Sequence, residues 1–102
     1  MTPRARALPR VIDAPGGPVR VTLRRGALHD DDGNEAWGLY DVAKRRIYIS
    51  RAIPPAHRWK VLWHEWTHVA LIDAGLDNGI EERLHEAICD AIATARVREV
   101  LR

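Results

Sequence analysis

At 102 residues, with 46% hydrophobic and 29% charged residues, the chain is long enough for one modest core and too apolar for a disordered tail. Its net charge of +2 comes from arginines scattered at the ends and in turns. No aromatic residues interleave with them, so a nucleic-acid platform is not expected. One cysteine, Cys89, excludes a disulfide framework, and no apolar signal core or membrane-spanning stretch is found, so a cytoplasmic protein is expected.

Residues 1–18 hold four prolines and two glycines and read as a flexible N-terminal arm or a strand lead-in, ahead of a single domain over 19–102. Val19 to Leu23 alternates apolar and polar, the pattern of a half-buried strand. Asp30-Asp31-Asp32-Gly33-Asn34 is a turn-forming loop whose carboxylates read as solvated, since the spaced ligands and closing glutamate of a calcium loop are missing. Residues 36–41 and 46–50 flank the polar connection Val42 to Arg45 and read as a hairpin. Ile47 and Ile49 then face one side, Arg46 and Tyr48 the other. The first half is thus expected to form a small, mostly antiparallel sheet of three or more strands.

The second half reads as helical, which makes the fold class α+β. Pro54-Pro55 suits a first turn and Gly75 a stop, giving a helix over about residues 55–74. At about 100° per residue, Trp59, Trp63, Trp66 and Ala70 share one side of it, read as core packing on the sheet. His64, His68 and Leu71 share the opposite side. Leu62 and Val69 form a flank, and Lys60 and Thr67 the polar strip. After the loop Leu76-Asp77-Asn78-Gly79, a second helix is expected from about Ile80 to Leu101. One face of it collects Glu86, Cys89, Asp90, Ala93, Val97 and Val100.

The chemistry lies in His64-Glu65-Trp66-Thr67-His68. On a helix the two histidines stand one turn apart and can reach one ion, with Glu65 projecting toward it from the adjacent face. This is the HExxH arrangement of zinc metalloproteases, in which the glutamate is the general base. Glu86 and Asp90 are two carboxylates one turn apart on an otherwise apolar stripe. A buried carboxylate is costly unless paired or metal-bound, so Glu86 is expected on the ion and Asp90 on the outer N–H of a ligand histidine. Glu81 and Glu82 are rival third ligands, with Glu82 the nearer to the stripe. His85 lies about 100° from Glu86 and reads as a helix-surface residue. His29 and His57 read as structural or solvent-exposed, and Cys89 as a small packed hydrophobe.

HExxH followed by Glu86-Ala87-Ile88-Cys89-Asp90 resembles the HExxH plus ExxxD signature of the gluzincin metallopeptidases, the clan of the thermolysin-like enzymes. The resemblance covers about residues 36–95. In size the chain is most similar to the compact single-domain gluzincins, and more distantly to the small metallopeptidase domains of ImmA/IrrE-type regulators. It implies a zincin-like fold with His64, His68 and Glu86 as Zn2+ ligands, Glu65 as general base and Asp90 orienting the first histidine. It also implies a protein or peptide substrate. Larger gluzincins take an oxyanion-stabilising histidine or tyrosine from a later subdomain. This sequence ends at Arg102, so Tyr40, Tyr48 and His85 are the substitutes by chemistry. Tyr48 is preferred, because the edge strand beside it should line the cleft. The alternative function is a zinc-stabilised module that binds a peptide or partner by strand addition with little turnover.

Overall fold

The computed structural model describes residues 7–76 and 81–100. The first six residues of the arm, positions 77–79 of the expected loop, Ile80 and Leu101 lie outside the described residues, as does the Val100 side chain. The elements are β1 (Val11–Ile12), β2 (Val19–Arg24), β3 (Leu28–His29), β4 (Glu35–Ala36), β5 (Gly38–Asp41), β6 (Arg46–Ser50), α1 (Pro55–Asp73) and α2 (Glu82–Val100). The fold is α+β: a mixed four-stranded sheet in the order β1-β2-β6-β5, a separate β3-β4 pair, and two helices.

Two of the three pairings in the main sheet are antiparallel, but the central one, β2 with β6, is parallel. Alternation along a strand tells which face is buried and not which direction its partner runs. A parallel pair needs a long crossover, and here β3, β4 and β5 lie within it. The arm, read as flexible or as a strand lead-in, contributes structure, because Val11–Ile12 adds an antiparallel strand to β2. Trp66 Nε1 then donates to the Asp13 carbonyl at 2.7 Å, holding this segment against α1. In the acidic loop, Asp30 Oδ1 accepts from the backbone N–H groups of Asp32 and Asn34, so that carboxylate is spent on its own turn.

The core is Val19, Ile47, Ile49, Ile53, Leu62 and Val69. Its helical contribution is therefore the Leu62–Val69 line, which sequence reading placed on a flank. Trp59 and Trp66 pack beside it, partly buried. Trp63 turns toward α2, where the Arg96 guanidinium lies 4.5 Å from its ring centre. Thr67, expected on a polar strip, is buried, and its hydroxyl donates to the Trp63 carbonyl one turn back at 2.8 Å. α1 ends in a glycine stop: Gly75 has φ 76°, and Leu76 N bonds the Leu71 carbonyl at 2.9 Å. α2 packs on α1 through the fully buried Cys89 and Ala93. No helix among the described residues is long and apolar enough to cross a membrane.

A clasp joins three remote parts of the chain. Asp73, in the last turn of α1, accepts two bonds from Arg45 (2.8 and 3.1 Å) and one from Gly16 N at 2.8 Å. Arg45 also donates to the Gly17 carbonyl at 2.9 Å. It sits in the β5–β6 turn at φ 47°, a conformation few non-glycine residues adopt.

Candidate metal centre

The helical repeat brings His64 and His68 together as expected, with Nε2 atoms 3.2 Å apart. Glu86 on α2 straddles them: Oε2 is 3.1 Å from His64 Nε2 and Oε1 is 3.0 Å from His68 Nε2. Donors held 2.0–2.1 Å from a tetrahedral ion stand roughly 3.3 Å apart. The two nitrogens and the carboxylate therefore already occupy close to the footprint of three zinc ligands.

The outer nitrogens are also engaged. His64 Nδ1 is 2.8 Å from Asp90 Oδ1, an approach that suits a proton on Nδ1 and an Nε2 lone pair free for a ligand. His68 Nδ1 is 3.2 Å from His85 Nε2, with the rings 4.6 Å apart. His85 is thus half-buried against His68 and does not stand free on the helix surface, a contact that sequence reading missed. Its one-turn neighbours on α2 do not reveal it, because the partner is on the other helix. Burial holds His68 below the ordinary imidazole pKa, against the opposite pull of Glu86, which favours the neutral, metal-binding form.

Glu86 and Asp90 are not buried on an apolar stripe as expected: their side chains are 52% and 69% exposed. The centre of the α2 stripe is Cys89 and Ala93, and the two carboxylates stand on its solvent-facing rim. They bear no large desolvation cost demanding a cation. Their position against the histidines carries the case instead. Of the rival third ligands, Glu82 borders the cleft, but among the described residues only Glu86 bridges both Nε2 atoms.

A second donor set shares the histidine pair. Cys89 Sγ and one nitrogen of each of His64 and His68 lie within 4.8 Å of one another. The Glu86 oxygens lie 3.1 and 3.0 Å from the two histidine nitrogens on the solvent side, and Cys89 is the fully buried member of the second set. Burial, reinforced by Glu86, Glu65 and Asp90, pushes the Cys89 thiol up to about 12.

Glu65 is buried and points from the sheet-side flank of α1. Burial raises its pKa to about 7, with His64 pulling it down and Glu86 pushing it further up. It has a close neighbour in Gly38 of β5. A Cβ at Gly38 would fall 2.6 Å from Val61 Cγ1 and 3.0 Å from Glu65 Cγ. The strand can lie this near the carboxylate only without a side chain. Gly38→Ala is therefore expected to lower stability by about 1–3 kcal/mol and to displace Glu65. Urea unfolding checks the first, and a variant as stable as the parent would contradict the close approach.

Around these groups lies a cleft of about 780 Å³ whose walls include Trp37, Gly38, Tyr40, His57, Lys60 and Glu82. His57 is exposed at its border, and His29 is exposed on β3. Tyr48 does not reach the cleft. Its neighbours Ile47 and Ile49 face α1, so by alternation Tyr48 faces the other side of the sheet, under the Arg24 guanidinium at 4.5 Å. Tyr40, paired with Ile47 across the hairpin, is on the helix side, and its buried Oη has no hydrogen-bond partner among the described residues. No family model, curated protein or solved structure matches the chain.

Proposed function

We propose that the protein is a zinc-dependent peptidase of the compact gluzincin kind that its two motifs resemble. The observation that carries this reading is the triangle of His64 Nε2, His68 Nε2 and the Glu86 carboxylate, with edges of 3.0–3.2 Å, beside a buried Glu65 that is not part of it. A neutral imidazole pair and one carboxylate is a donor set that suits zinc. When bound, the ion supplies Lewis-acid polarisation of the scissile carbonyl and lowers the pKa of water.

The chain's own residues do the rest. Asp90 fixes the tautomer and orientation of His64, and His85 meets the outer nitrogen of His68. Glu65 accepts the proton of the attacking water and returns it to the leaving amine. Burial raises its pKa from the ordinary carboxylate range, which strengthens it as a proton acceptor. The phenol role first given to Tyr48 passes to Tyr40, which borders the cleft.

The test is cleavage of an unfolded generic protein by the purified chain. Hydrolysis should disappear on chelation and return with zinc. Cleavage that survives chelation would overturn the proposal. Zinc bound stoichiometrically without cleavage would favour the strand-addition binding module.

A further inference from the structure

We propose that Cys89 is a fourth protein ligand of the ion, and that the resting centre is closed by its thiolate. This rests on the metal-centre reading above. Three observations carry it. The Cys89 sulfur is within 4.8 Å of ligand-capable nitrogens of both histidines. The residue is completely buried against α1, so the sulfur faces protein, and no second cysteine exists to pair with it. Finally, Glu86 and Cys89 are three apart on α2, a spacing that puts both on one side of a helix and lets them address one ion.

The neighbouring donors are otherwise committed. His85 Nε2 meets the outer nitrogen of His68, and Asp90 meets that of His64. Cys89 is the one remaining soft donor beside the triangle, and thiolate is a preferred zinc ligand. A tetrahedral ion sets sulfur–nitrogen edges of roughly 3.5 Å, against separations of at most 4.8 Å here, and a side-chain adjustment closes what remains. On coordination the S–H proton is released to solvent and the sulfur electron pair forms the metal bond.

Four protein donors leave no position for water. Hydrolysis then draws only on molecules in which the thiolate has been displaced. The cysteine acts as a brake built into the glutamate helix.

Cobalt(II) reports the ligand directly. The full chain loaded with one equivalent of Co2+ should show a near-ultraviolet sulfur-to-cobalt charge-transfer band. Cys89→Ser should lose that band, keep its visible cobalt bands and hydrolyse protein severalfold faster. Zinc-edge X-ray absorption of the parent needs no variant and should show one sulfur at about 2.3 Å. Cobalt bound with no sulfur band, or a band that persists in Cys89→Ser, overturns the thiolate and leaves the peptidase reading standing. Failure to bind cobalt at all, with His64→Ala indistinguishable from the parent, overturns both.

Discussion

Glu65→Gln should lower hydrolysis by about 10²–10⁴-fold, the contribution of a positioned general base, while zinc content stays at the parent's level. Glu65 is not one of the three donors that form the triangle, so its amide leaves the ion's ligands in place. Glutamine fills the same space beside Val61 and Gly38, and it removes the cost of burying a carboxylate whose pKa burial raises to about 7. The variant should therefore melt at or above the parent temperature. Loss of activity with unchanged or increased stability marks a residue kept for chemistry at some expense to the fold. Parent-level cleavage would remove Glu65 from the mechanism, and zinc loss would mean that it serves the ion instead.

The largest stability effect should come from the clasp. Asp73 is 6% exposed and Arg45 33%, and removing one partner leaves the other charged group with unmet hydrogen bonds. Asp73→Asn should cost about 1.5–3 kcal/mol in urea unfolding, the range for hydrogen bonds to a charged group. Arg45→Gly separates the two roles of that position, since glycine accepts φ 47° but cannot hold Asp73. It should recover part of the loss seen in Arg45→Ala and no more. The pH dependence has a definite sign. The Arg45 hydrogen bonds hold the Asp73 pKa below the usual carboxylate range, with Gly16 N helping. Its stabilisation is thus present above the ordinary carboxylate pKa and is lost as pH falls through the lowered folded value. Parent and Asp73→Asn stabilities should converge in acid. Parallel curves would show that the ion pair contributes nothing.

What was legible in the sequence was local. His64 and His68 meet because a helix places i and i+4 together, and the i, i+4 pair Glu86 and Asp90 on α2 does arrive at them. The β5–β6 hairpin and both helices could be read from turn residues and periodicity. Tertiary partners could not. His85 looks solvent-facing on its own helix, and only the packing of α2 on α1 brings it to His68. Helical periodicity showed which residues share a face of α2 but not where that face ends. The carboxylates therefore looked buried when they stand on the rim. The Tyr48 expectation failed for a related reason: alternation separates it from Ile47 and Ile49, but which of the two sides packs on α1 is set by tertiary contact.

The bonds that the residues ahead of β2 make with α1 have a consequence for the order of assembly. The hydrogen-bonded contacts of the candidate metal centre span no more than the 26 positions from His64 to Asp90. Pairing residues 20–24 with 46–50 closes a loop of the same length, whereas Gly16 reaches Asp73 across 57 positions and Asp13 reaches Trp66 across 53, with the larger entropic penalty. The sheet from β2 onward and the two helices can therefore come together first, with the residues ahead of β2 docking onto α1 afterwards. Arg45 already holds Asp73 by then, and the Gly16 bond arrives with the last piece, as a seal on a finished fold and not its nucleus.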